Sequence, residues 1–260
     1  MRILQRVTVA LFVVVAVAFI GTKVYISRMV DRVPPVITCE SDVVEVPVGA
    51  AEYQLLSGVT ATDERDGDLT GEIMIKGISQ LITADTAKIT YIVFDEANNM
   101  ATAQRAVHYT DYEKPKISLT APLMYQTGDS IRLLPNLTAH DTIDGDITGN
   151  IRVTNQNVDS GNSGVYSVTL QVTNSLGDVE SVPAKVVIRD FLPAEAPIVL
   201  SDYIAYLNEG AYFAPRNYVR TPMDMSAVEV ESNVDTSVAG IYEVSYTLQN
   251  YTVYQTVVVR

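Results

Sequence analysis

The sequence predicts an all-β protein, a row of small β-sandwich domains behind a single N-terminal transmembrane helix. Three observations carry that expectation. An almost unbroken apolar run occupies residues 7–22. Beyond residue 33 no long helical period appears, and short β-branched and aromatic runs are separated by turn residues, as in sandwiches. Finally, the pattern D-x-x-D-G-D-[L/I]-T-G-x-I occurs at residues 63–73 and again at 141–151. A repeat of that period is too long for a solenoid unit and suits a small autonomous β-domain.

Residues 1–33 read as a short cytoplasmic head, a membrane anchor and a spacer. Lys23 can snorkel, so Val24, Tyr25 and Ile26 extend the apolar run to about 20 residues, enough to cross a bilayer. Residues 7–26 are therefore the expected membrane partner. Ala16-Val17-Ala18 has the small-x-small form of a cleavage site, but Phe19 and Ile20 continue the apolar run past it. The favoured reading is an uncleaved signal anchor. Basic residues flank both ends of the span (Arg2 and Arg6 before it; Lys23, Arg28 and Arg32 after it), so charge does not orient it. A cell-membrane location, single-pass with the β-domains extracytoplasmic, is inferred from the class of protein.

The first domain is expected over residues 34–110, opened by Pro34-Pro35, which stop any helix. It holds alternating runs at 43–48 and 89–95 and a turn at 96–99 before a closing strand. The second covers 111–190, where Tyr166, Val168, Leu170 and Val172 share one face of a strand by the two-residue period. A proline-bearing joint at 193–197 precedes a third domain, 195–260, which repeats the late strand at 242–250. At the place of the Asp-rich turn it carries Thr221-Pro222-Met223-Asp224-Met225-Ser226 instead. Each domain is expected to pack its own small core.

Eighteen Lys and Arg stand against 31 Asp and Glu, for a net charge of −13. Such a surface repels phosphate backbones, and no basic patch appears, so nucleic acid is not an expected partner. Cys39 is the only cysteine, which excludes an intrachain disulfide and a cysteine metal site. His108 and His140 lack the company of metal ligands or catalytic partners and fit strand ends. No nucleophile elbow, phosphate-binding loop or dinucleotide fingerprint is present. The expectation is a protein that is not an enzyme.

Residues 34–110 and 112–190 resemble the bacterial immunoglobulin-like surface repeat of the pesticidal-crystal-protein type. The resemblance rests on Pro34-Pro35-Val36-Ile37, on residues 61–70 and on residues 89–99, with Asn98 in place of the family's glycine. It implies tandem immunoglobulin-like sandwiches used as spacers and interaction modules on bacterial surfaces. Residues 195–260 match only in the late strand.

Two sets of candidate site residues follow. Asp63, Asp66 and Asp68, with Asp141, Asp144 and Asp146, either brace their turns by accepting backbone N–H bonds or offer oxygens to calcium. No other cofactor is expected. At the joint between domains, Asp141, Asp144, Asp146 and Asp178 are placed to meet Asp111 and Glu113. Eight of the 15 tyrosines lie in the third domain. Tyr203, Tyr206, Tyr212 and Tyr218 fall outside its late strand and are candidates for partner binding; core packing is the other reading. The functional expectation is a non-catalytic, membrane-anchored surface protein with a stalk and a distal module for adhesion or protein binding. Other surface proteins or glycans are the partners it admits, and it leaves homo-oligomers and filaments open. The alternative is a structural subunit of an envelope or filament assembly that docks through a sheet edge, with 252–259 as a terminal edge strand.

Overall fold

The computed structural model describes residues 2–29, 31–83, 85–221 and 225–260. The chain is mostly β, with several sheets behind one long helix, α1 (Arg2–Met29). The 21 residues Gln5–Tyr25 are long and apolar enough to cross a membrane, and none of that stretch is covered by the rest of the molecule. A helix of this length rises about 30 Å, the thickness of a bilayer's hydrocarbon core. A signal sequence shares those properties.

Two compact units make up the chain. One comprises Met1–Val46, Ala50–Ser79 and Thr86–Tyr109; the other comprises Pro47–Gly49, Gln80–Asp85 and Thr110–Arg260.

The first unit holds β1 (Val36–Cys39), β2 (Val43–Val46), a helical turn α2 (Glu52–Leu55), β3 (Val59–Asp63), β4 (Gly67–Asp68), β5 (Met74–Ile78), β6 (Thr86–Phe94) and β7 (Met100–Tyr109). They form sheets ordered β1-β3-β4 and β2-β7-β6-β5, with β2 parallel to β7. The two-residue period of β6 sends Ala87, Ile89, Tyr91 and Val93 inward, all fully buried. They share the core with Val59 and Ala61 of β3 and Val107 of β7. Arg105 is buried in this core with three hydrogen bonds. Its Nε donates to the Tyr91 hydroxyl at 2.7 Å and a terminal nitrogen to the Leu55 and Ser57 carbonyls at 2.8 and 2.7 Å. A buried guanidinium persists only when its donors are so engaged. Cys39 is half-buried and free at the end of β1.

The second unit contains that topology once in full and once with two strands in place of three in the smaller sheet, among the described residues. Its first copy comprises β8 (Lys116–Leu119), β9 (Leu123–Gln126), β10 (Leu137–Asp141), β11 (Gly145–Asp146), β12 (Arg152–Gln156), β13 (Gly164–Thr173) and β14 (Val179–Arg189). The sheets are β8-β10-β11 and β9-β14-β13-β12. The next copy comprises β15 (Val199–Leu200), β16 (Ile204–Leu207), β17 (Val219–Thr221), β18 (Glu229–Ser232), β19 (Gly240–Leu248) and β20 (Tyr251–Val259), in sheets β15-β17 and β16-β20-β19-β18. Pro222, Met223 and Asp224, where the Asp-rich turn was missing from the sequence, lie outside the described residues.

Two expectations are corrected here. The joint at 193–197 does not separate two independently packed domains, because one cluster of buried residues runs from Ile117 to Val259. The cause is visible in β14 and β20, where alternation gives way to continuous burial at Val186-Val187-Ile188 and at 255–259. A strand buried on both faces has a neighbour on each. Polar contacts cross the same seam: Thr256 Oγ1 donates to the Pro183 carbonyl at 2.7 Å, the Ile117 amide donates to the Tyr206 hydroxyl at 2.9 Å, and Lys185 pairs with Glu243 at 3.3 Å. Second, residues 252–259 are not an edge: β20 lies inside its sheet, paired with β16 on one side and β19 on the other.

Candidate cation site

The Asp-rich turn joins β3 to β4 and β10 to β11 in the same register, Asp63 opposite Gly67 and Asp141 opposite Gly145. Both glycines have positive φ, 77° and 71°, a conformation that side chains disfavour. Most of the motif serves the turn. Asp63 Oδ1 accepts the Arg65 and Asp66 amides at 2.7 and 3.1 Å, and Asp141 Oδ1 accepts those of Ile143 and Asp144 at 2.9 and 3.0 Å. Asp68 and Asp146 each accept the amide of the threonine two residues on, at 2.9 Å. The Thr70 and Thr148 hydroxyls accept the Ala61 and Ala139 amides at 3.1 and 3.0 Å. Leu69, Ile73, Ile147 and Ile151 are buried.

These bonds act on the carboxyls. The Arg65 and Asp66 amides hold Asp63 below the usual carboxylate range, and Thr70 and Thr148 do the same for Asp68 and Asp146, through hydroxyl and amide alike. The middle aspartates reach sideways to the next turn. Asp66 Oδ2 accepts the Glu96 amide at 2.9 Å, while Asp144 takes both the amide and hydroxyl of Ser175 at 2.6 and 2.7 Å.

Of the six candidate aspartates, Asp63 alone joins a carboxylate cluster among the described residues. Its companions, Asp31 and Asp95, come from outside the motif. One oxygen from each of the three lies within 4.8 Å of the other two. Asp95 and Asp63 are 6 % and 9 % exposed, and the Asp31 side chain 8 %. Asp95 is held by Asn99, whose amide and Nδ2 each donate to one of its oxygens at 2.7 Å. Asp31 Oδ1 accepts the Val33 amide at 3.0 Å. The remaining oxygens, Asp31 Oδ2 and Asp63 Oδ2, are buried without a hydrogen-bond donor. Arg65 approaches, but its Nε stays 3.8 Å from Asp31 Oδ2, too far for a hydrogen bond.

The second domain builds the same corner differently. Asn174 stands where the first domain has Asp95, and Asp178 where it has Asn99. Asn174 Nδ2 donates to Asp141 Oδ2 at 3.2 Å and to the Tyr112 hydroxyl at 3.0 Å, and that hydroxyl donates to Asp178 Oδ2 at 2.7 Å. Burial, reinforced by Asp178, pushes the Tyr112 hydroxyl well up. Both oxygens of Asp141 are thus satisfied. The joint cluster expected around Asp111 and Glu113 does not form among the described residues: Asp178 takes Tyr112, and Glu113 pairs with Lys116.

The candidate tyrosines divide. Tyr203 is buried, with its hydroxyl accepting the Leu200 amide. Tyr206 lies under the Arg260 guanidinium, 4.8 Å from its ring centre, and accepts the Ile117 amide. Tyr218 packs on the core beside Phe213. Tyr203 is thus core packing, and Tyr206 and Tyr218 are half-buried against the core; Tyr212 is 88 % exposed. His108 and His140 sit near the ends of β7 and β10, as expected.

Asp31 and Asp95 escaped sequence reasoning because both stand outside the repeated motif and far from it along the chain. The usable signal was the mismatch at the end of the late strand, Asp95 in one copy and Asn174 in the other.

Fold and site together define a class: a mostly β chain of several sheets behind one apolar helix, with a carboxylate cluster in its first β-domain. No family model matches the sequence. The chain is 29 % identical over 221 residues to the pesticidal crystal protein Cry22Aa of Bacillus thuringiensis, covering 80 % of this chain and 30 % of that one. It is 34 % identical over 90 residues to an uncharacterized 81.3 kDa protein of Acholeplasma phage L2, covering 34 % of this chain and 11 % of the other. The chain thus spans under a third of the length of either relative. Among solved structures, the CBM51-2 and INT domains of Clostridium perfringens ZmpB match over 57 % of this chain and 26 % of theirs, at 18 % identity and a TM-score of 0.25. A score that low fixes no common fold.

Proposed function

We propose that the chain is a non-catalytic, membrane-anchored surface protein whose immunoglobulin-like β-sandwich domains form a stalk and carry a distal module for adhesion or protein binding. The observation that carries this reading is the apolar stretch Gln5–Tyr25, uncovered by the molecule and followed by little but strands. Apolar surface of that extent is stable in lipid and not in water. Residues 110–260 share one core, so they act as a single body. Tyr212, exposed and amphipathic, remains available for partner contact.

Full-length chain expressed in a bacterial host tests the reading. Membrane association that resists alkaline carbonate, with the β-domains digested by protease added outside the cells, is the expected result. Recovery of a soluble chain lacking residues 2–25, or protection of the β-domains from external protease, would overturn it.

A further inference from the structure

We propose that Asp31, Asp63 and Asp95 bind one divalent cation, calcium by preference, and that the second domain carries no such site because Asn174 and Tyr112 complete its corner. The assignment is independent of the membrane reading above.

Three facts combine. Three carboxylates crowd one point, with an oxygen of each within 4.8 Å of the others. Oxygens bound to one calcium ion at 2.3–2.6 Å stand at most about 5 Å apart, so the spacing already fits a shared ion. Two of the oxygens, Asp31 Oδ2 and Asp63 Oδ2, are buried and lack any hydrogen-bond donor. Like charges held this close in a poorly hydrated place repel strongly, and the single positive charge of Arg65, 3.8 Å from Asp31 Oδ2, does not balance three carboxylates.

The third fact is internal to the molecule. The related corner of the second domain uses an amide in place of one carboxylate, and that amide donates to the aspartate corresponding to Asp63. The corner is closed there by neutral donors; in the first domain Asn99 serves Asp95, Arg65 stands 3.8 Å from Asp31, and two carboxylate oxygens are left without a hydrogen-bond donor. Carboxylate-only oxygen ligands select hard cations such as calcium, magnesium and manganese. Ligands from three separate segments, the stretch before β1 and the ends of β3 and β6, suit the loose coordination of calcium better than the strict octahedron of magnesium. Binding would tie Asp31, which follows the apolar span closely in sequence, to the body of the first domain.

Calorimetric titration of the detergent-solubilised, EDTA-stripped full chain with calcium chloride tests the site. The expected result is one calcium per chain, with a dissociation constant below about 1 mM, the weak end for extracellular modules, and a rise in melting temperature. Asp95→Asn, which copies the second domain, and Asp31→Asn, which alters no strand, should each weaken binding by about tenfold or more. Asp144→Asn and Asp146→Asn should leave it unchanged. Since Asp31→Asn removes one of the crowded charges, its melting temperature in EDTA should equal or exceed the parent's, which separates ligand loss from misfolding.

No calcium bound up to about 10 mM, ten times the weak limit, would overturn the site. So would unchanged affinity in Asp31→Asn and Asp95→Asn, or loss of binding in Asp144→Asn. A drop in the Asp31→Asn melting temperature in EDTA would show that the carboxylates are not in excess, with the same consequence. Equal affinity for magnesium would remove the preference for calcium.

Discussion

Asp63 and Asp141 begin the same turn, hold the same two backbone amides and end strands of the same register, yet their second oxygens meet opposite environments. Asp141 Oδ2 receives an amide donor from Asn174, while Asp63 Oδ2 faces two more carboxylates. The exchange of Asp95 for Asn174 at the end of the late strand, together with Asp31 in one corner and Tyr112 in the other, separates a crowded set of carboxylates from a closed hydrogen-bond network. The repeated motif is the shared scaffold, and the unrepeated residues around it decide its chemistry. This inverts the usual inference that a duplicated acidic sequence marks a duplicated site.

The comparison breaks most readily at Asp141. Asp141→Ala strands the Ile143 and Asp144 amides and the Asn174 amide group at a residue only 1 % exposed. Urea unfolding of the full chain should show a loss of about 2–4 kcal/mol in the second unit. Asp63→Ala, measured in EDTA, removes the same two amide contacts but also relieves crowding, so its loss should be the smaller. Equal losses would mean that the two corners are electrostatically alike.

Asn174→Asp rebuilds the first domain's arrangement inside the second. Without calcium it should cost about 1–3 kcal/mol, through loss of the donor to Asp141 and the approach of a like charge. It should also give the second unit a calcium-dependent midpoint. A smaller change is expected of Tyr206→Phe, which frees the Ile117 amide beneath it; about 1 kcal/mol should be lost from the unit spanning 110–260. The whole unit should still unfold in one transition, because the core is shared. Separate transitions for the two halves of that unit would restore the independent packing expected from the sequence.

The smallest effect concerns pH. Donation by the Arg65 and Asp66 amides lowers the folded-state value of Asp63 below that of the unfolded chain. Its contribution to stability is therefore fully present above the ordinary carboxylate range and is lost as pH falls through the lowered value. The gap between the parent and Asp63→Asn unfolding midpoints in EDTA should be widest near neutrality and close in strong acid. A gap that widens on acidification would contradict the hydrogen-bond assignment.

Much of the fold was legible because strand periodicity and turn chemistry are local. Tyr91 and Val93 alternate inward as the sequence requires, Gly67 and Gly145 stand at positive φ, and Asn98 takes the left-handed conformation that Gly177 occupies in the next copy. What escaped was non-local. Asp31, Asp63 and Asp95 meet through tertiary structure, and no spacing rule joins them. The fused core was written more faintly, since Val257-Val258-Val259 and Val186-Val187-Ile188 break the alternation expected of a strand with one wet face. Tyr203 and Tyr206 were ambiguous for the same reason, because residues that cover a neighbour have the composition of residues that recruit a partner.

The burial of β20 against β14 also orders events during synthesis. A chain emerging from the ribosome N-terminus first completes β14 well before β20 exists, so Val187 and its neighbours wait in water until the later strand arrives. An apolar face left open for that interval invites misassociation between nascent chains. A chaperone that meets the nascent chain would find its target in that half-finished sheet.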